Sequence, residues 1–207
     1  MQLQGAFQWV FNVGNWLYKF LFLHLLWIMF TLLGLGVFGI FPATFALFSV
    51  TQKIINEDTD TPIFRNFVNA YKRDFVSANL VGLLMVVIGV FFYVDFVVSK
   101  QFLQNFFIHF ILMLMILLYT FTLLFLFPVF VRYELKTFYY LKQSFLIAIA
   151  QPLESIAMIF CLFCIYFLFS VIPLTLIFAG SSLFAFPISW LALQAFKKVE
   201  EKNQLSN

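Results

Sequence analysis

Charged residues are sparse and bunched, and they divide the chain into long apolar runs. Residues 20–52 include 33 in succession without Asp, Glu, Lys or Arg, 75–94 include 20, 101–131 include 31 and 155–196 include 42. A helix crossing the hydrocarbon core of a bilayer needs roughly 20 apolar residues at about 1.5 Å each. By that ruler the second run is one span, continuing through Asp95 to residue 98. The third is one long or kinked span. The fourth is two spans, divided most evenly at the Val-Ile-Pro-Leu-Thr of 171–175. The first run is too long for one span and too short for two with a turn. The pattern therefore predicts an all-α, polytopic transmembrane helical bundle of about five spans, at about 16–37, 75–98, 104–131, 153–171 and 175–196, within one integral membrane domain, 1–207.

Inside the first run a proline and three glycines interrupt the helical signal. Gly34, Gly36 and Gly39 precede Pro42. Glycine weakens helix continuity, and proline removes a backbone donor and clashes with the carbonyl four residues back. The expected result is a first span broken near 34–42 and a short inner helix from Pro42 to residue 55. Two further Phe-Pro pairs, at Pro128 and Pro187, sit at corresponding places in the third and fifth spans, where the proline is expected to kink the helix.

Between the apolar runs the period changes. Phe64, Phe67, Tyr71 and Phe75 recur at three- and four-residue spacing opposite Arg65, Asn66, Asn69 and Arg73, which predicts an amphipathic helix over 62–74 on the inner surface, opened by Thr61 and Pro62. Phe138, Leu141, Phe145 and Ala148 repeat the spacing and predict another over 136–150. Both outward-going spans are introduced by Lys-x-x-Phe-[Val/Leu]-x-Ala, at 72–78 and 142–148, which suggests internal duplication.

Composition agrees with a lipid-facing chain: 64% of the 207 residues are hydrophobic, 33 are phenylalanine and only 10% are charged, against about 25% charged in soluble domains. Charge then orients the bundle. Ten of the 12 basic residues fall in the segments placed inside, leaving Lys19 and Lys100 outside, if the N-terminus is outside and the C-terminus inside. A net charge of +3 gives no reason to expect nucleic acid. The first 18 residues hold no Lys or Arg, so no cleavable signal peptide is expected.

Ionisable groups within spans are costly and are the first candidates for chemistry. His24, Asp95 and His109 all fall in the outer part of the predicted bilayer and form a candidate polar cluster. Two imidazoles and a carboxylate suit a divalent metal or a proton relay, but they come from three helices with no His-x-x-x-His spacing, so interfacial hydrogen bonding is the favoured reading and no metal is expected. At the inner end Arg132 and Glu154 form a candidate ion pair, structural in the first instance and a docking or gating element in the second. Cys161 and Cys164 lie mid-span without the electropositive setting a reactive thiolate needs. Walker A, zincin and nucleophile-elbow patterns are absent, so neither catalytic residues nor a cofactor is expected.

Trp27, the Thr-Leu-Leu-Gly-Leu-Gly-Val-Phe-Gly-Ile-Phe-Pro-Ala-Thr of 31–44, Lys53, the Tyr-Lys-Arg-Asp-Phe of 71–75 and Ala78-Asn79 together resemble the YesL-like family of small bacterial membrane proteins, a domain of unknown function. The resemblance is strongest over 16–80. It implies a multi-pass protein of the bacterial plasma membrane. Because members are commonly encoded near carbohydrate ABC importers and glycoside hydrolases, it also implies a role in sugar uptake or its control. Two readings follow: a non-enzymatic accessory subunit touching an ABC permease or ATPase, which is favoured, and a small-solute transporter or channel in its own right. Besides the lipid bilayer the sequence names no partner, and it sets no oligomeric state.

Overall fold

A computed structural model describes residues 2–56, 62–100 and 106–205. Among these the regular structure is helical: α1 (Gln2–Leu33), α2 (Val37–Asn56), α3 (Ile63–Val98), α4 (Phe106–Arg132), α5 (Thr137–Ala150), α6 (Pro152–Val171) and α7 (Leu174–Leu205). In lipid, helices satisfy their backbone donors and acceptors internally, so the charge-free runs have little alternative. All the helices except α5 are long and apolar enough to cross a membrane, making six candidates by length and composition among the described residues. The chain is an all-α multi-pass membrane protein. Thr61 and residues 101–105, which include the expected start of the third span at 104, lie outside the described residues.

The sixth candidate is α2, and it is the hub. It packs against α1, α3, α4 and α7, with Ala43, Phe45, Ala46, Leu47, Phe48 and Val50 all buried. Small residues at 43 and 46 let neighbouring helices approach closely, while Phe45 and Phe48 pack their rings against Phe127 of α4. The chain reverses between α1 and α2 at Leu35 and Gly36, whose φ values are 58° and 73°. The Gly36 N–H closes back on the Thr31 carbonyl at 2.9 Å, a Schellman-type ending.

That ending corrects the expected inner helix over 42–55. Gly39 and Ile40 donate at once to the Gly36 carbonyl, at 3.1 and 3.0 Å, so α2 is nucleated at Val37 and Pro42 is its sixth residue. By then the helix is established, and proline deletes one bond without setting the start. Pro128 and Pro187 likewise lie inside α4 and α7. The separate surface helix over 62–74 is also corrected: it is the first part of α3, which runs unbroken for 36 residues. Nothing between Ile63 and Val98 stops it, whereas Gln151-Pro152 ends α5 and starts α6. The expected helix over 136–150 is α5.

Helices α1 to α4 alternate in direction. Trp27 on α1 meets Thr44 on α2, and Lys53 on α2 meets Asn66 on α3. Met85 and Ser99 on α3 meet Tyr119 and His109 on α4. Helix α1 also passes α7 in the opposite sense: Phe20 meets Ser182 and Phe186, and His24 meets Ser181 and Ile177. Lys53, Arg73, Arg132 and Lys198 consequently gather at one end of the bundle.

Candidate functional site

Each member of the predicted polar cluster has its own surroundings. His24 on α1 is buried against α7: its Nε2 lies 3.0 Å from the Ile177 carbonyl, and its Nδ1 lies 2.8 Å from Ser181 Oγ and 3.2 Å from the Ser181 N–H. A carbonyl only accepts and a backbone N–H only donates. Nε2 therefore carries the proton and Nδ1 receives, so the neutral imidazole has partners for both nitrogens. The lone pair a metal would need is already engaged. His109 pairs instead with Ser99 Oγ at 3.1 Å, against Phe96. Asp95 is half-buried, and its carboxylate makes no hydrogen bond or ion pair with the described residues. Helix α1 makes no packing contact with α4, so His24 and His109 belong to separate helix pairs. No group of three potential metal ligands forms among the described residues.

Beside His24 a groove of about 620 Å³ is walled by Trp27, Ile40, Phe41, Thr44, Phe127, Leu176 and Phe184. Its polar atoms are largely committed to the protein. Trp27 Nε1 donates to Thr44 Oγ1 at 3.0 Å, and the Thr44 hydroxyl in turn donates to the Ile40 carbonyl at 2.6 Å. These bonds join the family-like residues of α1 and α2 to each other and offer little to a ligand.

The α1–α2 turn is packed against its own backbone. A Cβ on Gly34 would lie 2.3 Å from the Gly39 Cα, and one on Gly39 would lie 2.3 Å from the Thr31 carbonyl oxygen. The three Phe-Pro pairs share a local use: the phenylalanine packs across a helix boundary. Phe41 covers Gly82 of α3, Phe127 meets Phe45 and Phe48 of α2, and Phe186 stacks on Phe20 of α1.

At the basic end the expected pair of Arg132 and Glu154 is replaced by two others. Arg132 holds Glu200 in a bidentate grip at 2.8 and 2.9 Å, and Glu154 binds Lys198. The reason is the course of α7. Residues 198 and 200 are about 200° apart around a helix, so one turns towards α6 and the other towards α4. Two charge pairs thereby fasten α7 to both neighbours. Beside them, outside the spans, burial and then the Glu200 carboxylate push the Tyr133 phenol above its ordinary range, so it stays neutral and protonated at physiological pH.

The same end holds a feature that sequence reasoning missed. A polar cleft of about 430 Å³ lies between α2, α3 and α4, lined by Gln52, Lys53, Asn56, Asn69, Arg73 and Arg132 together with Ser49, Asn66, Ala70 and Val131. Gln52 is buried and fixed, donating to the Pro128 carbonyl at 3.1 Å. Asn66 accepts from Lys53 at 3.2 Å and donates to the Pro62 carbonyl at 3.1 Å. The signal was present: Asn66, Asn69 and Arg73 form the polar face of the 62–74 periodicity. The periodicity alone does not place that face beside α2, whose burial turns it into a cleft wall.

Comparison with known proteins points to one family. A family described as "Protein of unknown function, DUF624" matches residues 20–96, from the second half of α1 to near the end of α3. The chain is 32% identical over 204 residues to the uncharacterised protein YteU of Bacillus subtilis (strain 168), covering 97% of this chain and 91% of that protein. It is 29% identical over 196 residues to the uncharacterised YesL of the same organism (92% and 90% covered) and 33% over 190 residues to the uncharacterised YesV (89% and 90%). No solved structure matches.

Proposed function

We propose, from the premise that the chain belongs to the YesL-like DUF624 family, that it is a non-enzymatic accessory or regulatory subunit of a carbohydrate ABC importer in the bacterial plasma membrane. The observation that carries this reading is the distribution of polar groups. Within the bundle, hydroxyl, indole and imidazole groups such as those of His24, Ser181, Trp27, Thr44 and Tyr119 are spent on helix-to-helix bonds. Asp95 and the buried Thr31 and Ser189 hydroxyls stand singly, whereas cationic and amide side chains line a shared cleft at the basic end. A solute crossing the bundle would need a succession of hydrogen-bonding partners, whereas a subunit that contacts an ATPase or the inner loops of a permease needs them at one face. The genomic company implied by the family resemblance supplies the carbohydrate element.

The orientation follows the charges. Lys53, Arg65, Lys72, Arg73, Arg132, Lys136, Lys142 and the lysines of α7 stand on the cytoplasmic side. If α2 is a full crossing, six alternating spans bring the N-terminus to that side too, in place of the outside position that an odd number of spans requires.

Transport by the chain alone is the second reading, and the groove beside the α1–α2 turn favours it, since small solutes bind in cavities between packed helices. The two are separated by experiment. Purification from native membranes is expected to bring a permease or ATPase with the chain, and proteoliposomes holding only this protein are expected to take up no sugar. Solitary purification together with sugar uptake by such proteoliposomes overturns the accessory reading.

A further inference from the structure

We infer that the cleft between α2, α3 and α4 binds a phosphoryl group, on an anionic phospholipid headgroup or on a soluble phosphate monoester, with Lys53 as its principal charge. This goes beyond the accessory reading and does not depend on it.

Lys53, Arg73 and Arg132 line the cleft, and among the described residues no carboxylate does. The two arginines are held in place from outside it. Arg73 Nε and Nη2 grip Asp74 at 2.9 and 2.8 Å, and Arg132 Nε and Nη2 grip Glu200 at 3.2 and 2.8 Å. Each guanidinium has five N–H donors in a rigid fork. Neither carboxylate takes Nη1, though the Arg132 guanidinium also meets the Tyr133 phenol, and the carboxylate partners orient both arginines without lining the cleft. Lys53 differs: among the described residues its ammonium bonds only to the neutral Asn66 Oδ1, at 3.2 Å, and meets no acid partner. Asn56 and Asn69 add exposed amide donors.

Phosphoryl oxygens fit this donor set. They accept several charge-assisted hydrogen bonds at once, from a point-charge lysine and from guanidinium edges. A neutral sugar would leave the lysine uncompensated, and a cation would be repelled. The volume accommodates a phosphate with a small substituent, and the cleft lies at the basic end, where headgroups of the cytoplasmic leaflet also stand. Glu57, Asp58 and Asp60, which follow Asn56 in the chain, lie outside the described residues.

The test uses the full-length protein purified into phosphatidylcholine nanodiscs and titrated with inorganic phosphate by calorimetry. A second arm counts phosphatidylglycerol against phosphatidylcholine retained by the detergent-purified protein in native mass spectrometry. Lys53→Gln and Asn69→Asp, both at exposed positions, are compared with wild type after each is shown to be helical and monodisperse. The expected result is binding in at least one arm, weakened about tenfold by each substitution, as loss of one charge-assisted bond or addition of a repelling charge would cause. Lys53-dependent binding of phosphate alone identifies a soluble monoester, and Lys53-dependent retention of phosphatidylglycerol alone identifies a headgroup. Absence of binding in both arms, or binding that neither substitution alters, overturns the proposal.

Discussion

Replacing Gly39 by alanine is expected to destabilise the folded bundle by about 3 kcal/mol or more, with Gly34→Ala close behind. Overpacking usually costs about 1–3 kcal/mol because side chains give way. Here the obstacles are backbone atoms, the Thr31 carbonyl oxygen at 2.3 Å from the new Cβ in one case and the Gly39 Cα at 2.3 Å in the other. Only separation of α1 from α2 relieves them, and that strips partners from the hub helix. Gly36→Ala meets no atom within 4 Å but imposes a φ of +73° on a residue with a Cβ, which costs about 1–2 kcal/mol. Gly14→Ala, inside α1 and with open space around it, is expected to be neutral or to stabilise by up to about 1 kcal/mol. Unfolding in mixed micelles, followed by circular dichroism, reads the order. If Gly39→Ala behaves like Gly14→Ala, the hairpin does not pack as described.

The second large effect is an asymmetry at the basic end. Lys198→Ala is expected to cost about 3 kcal/mol and Glu154→Ala clearly less. The Glu154 side chain is 6% exposed and that of Lys198 is 54% exposed. Removing the lysine strands a buried carboxylate, and breaking a buried pair in that way costs about 3–5 kcal/mol. Removing the glutamate leaves an ammonium that water can solvate. Combining Lys198→Ala with Glu154→Leu should recover most of the loss, since no buried charge then remains. The same unfolding measurement, run as a double-mutant cycle, decides it. Equal losses from the two single substitutions would mean that the carboxylate is not buried by α7.

The span boundaries that were legible in sequence are those set by strong chemistry. The expected division at 171–175 is the boundary between α6, ending at Val171, and α7, starting at Leu174, because proline at 173 stops one helix and the next begins just after it. The role of α2 was hidden by the ruler itself. Counting only charge-free residues cut the first run at Lys19 and Lys53. The helices absorb both: Lys19 is buried beside the Trp16 ring, with its Nζ 5.5 Å from the ring centre, and Lys53 sits exposed in the last turn of α2. With those residues restored there is length enough for two helices. The candidate site was legible only in its parts. Arg132 and Glu154 were recognised as ions needing partners, but several opposite charges share that end, and the choice among them is fixed by where α7 runs. His24 was recognised as costly in lipid, and the feature that satisfies it, the Ser181 and Ile177 backbone of α7, lies more than 150 residues away in sequence.

The most direct test of the bundle as a whole is cysteine labelling in intact cells on a background with Cys161 and Cys164 replaced by serine. With α2 crossing at the centre and the basic end in the cytoplasm, Leu35→Cys, at the 85% exposed apex of the α1–α2 turn, is expected to react with a membrane-impermeant maleimide added outside. Asn56→Cys, at the other end of α2, and a cysteine at the N-terminus should react only after permeabilisation. Protection of Leu35→Cys together with outside labelling of the N-terminus would contradict the account: α2 would then not cross, and the cleft and both charge pairs would need a different setting.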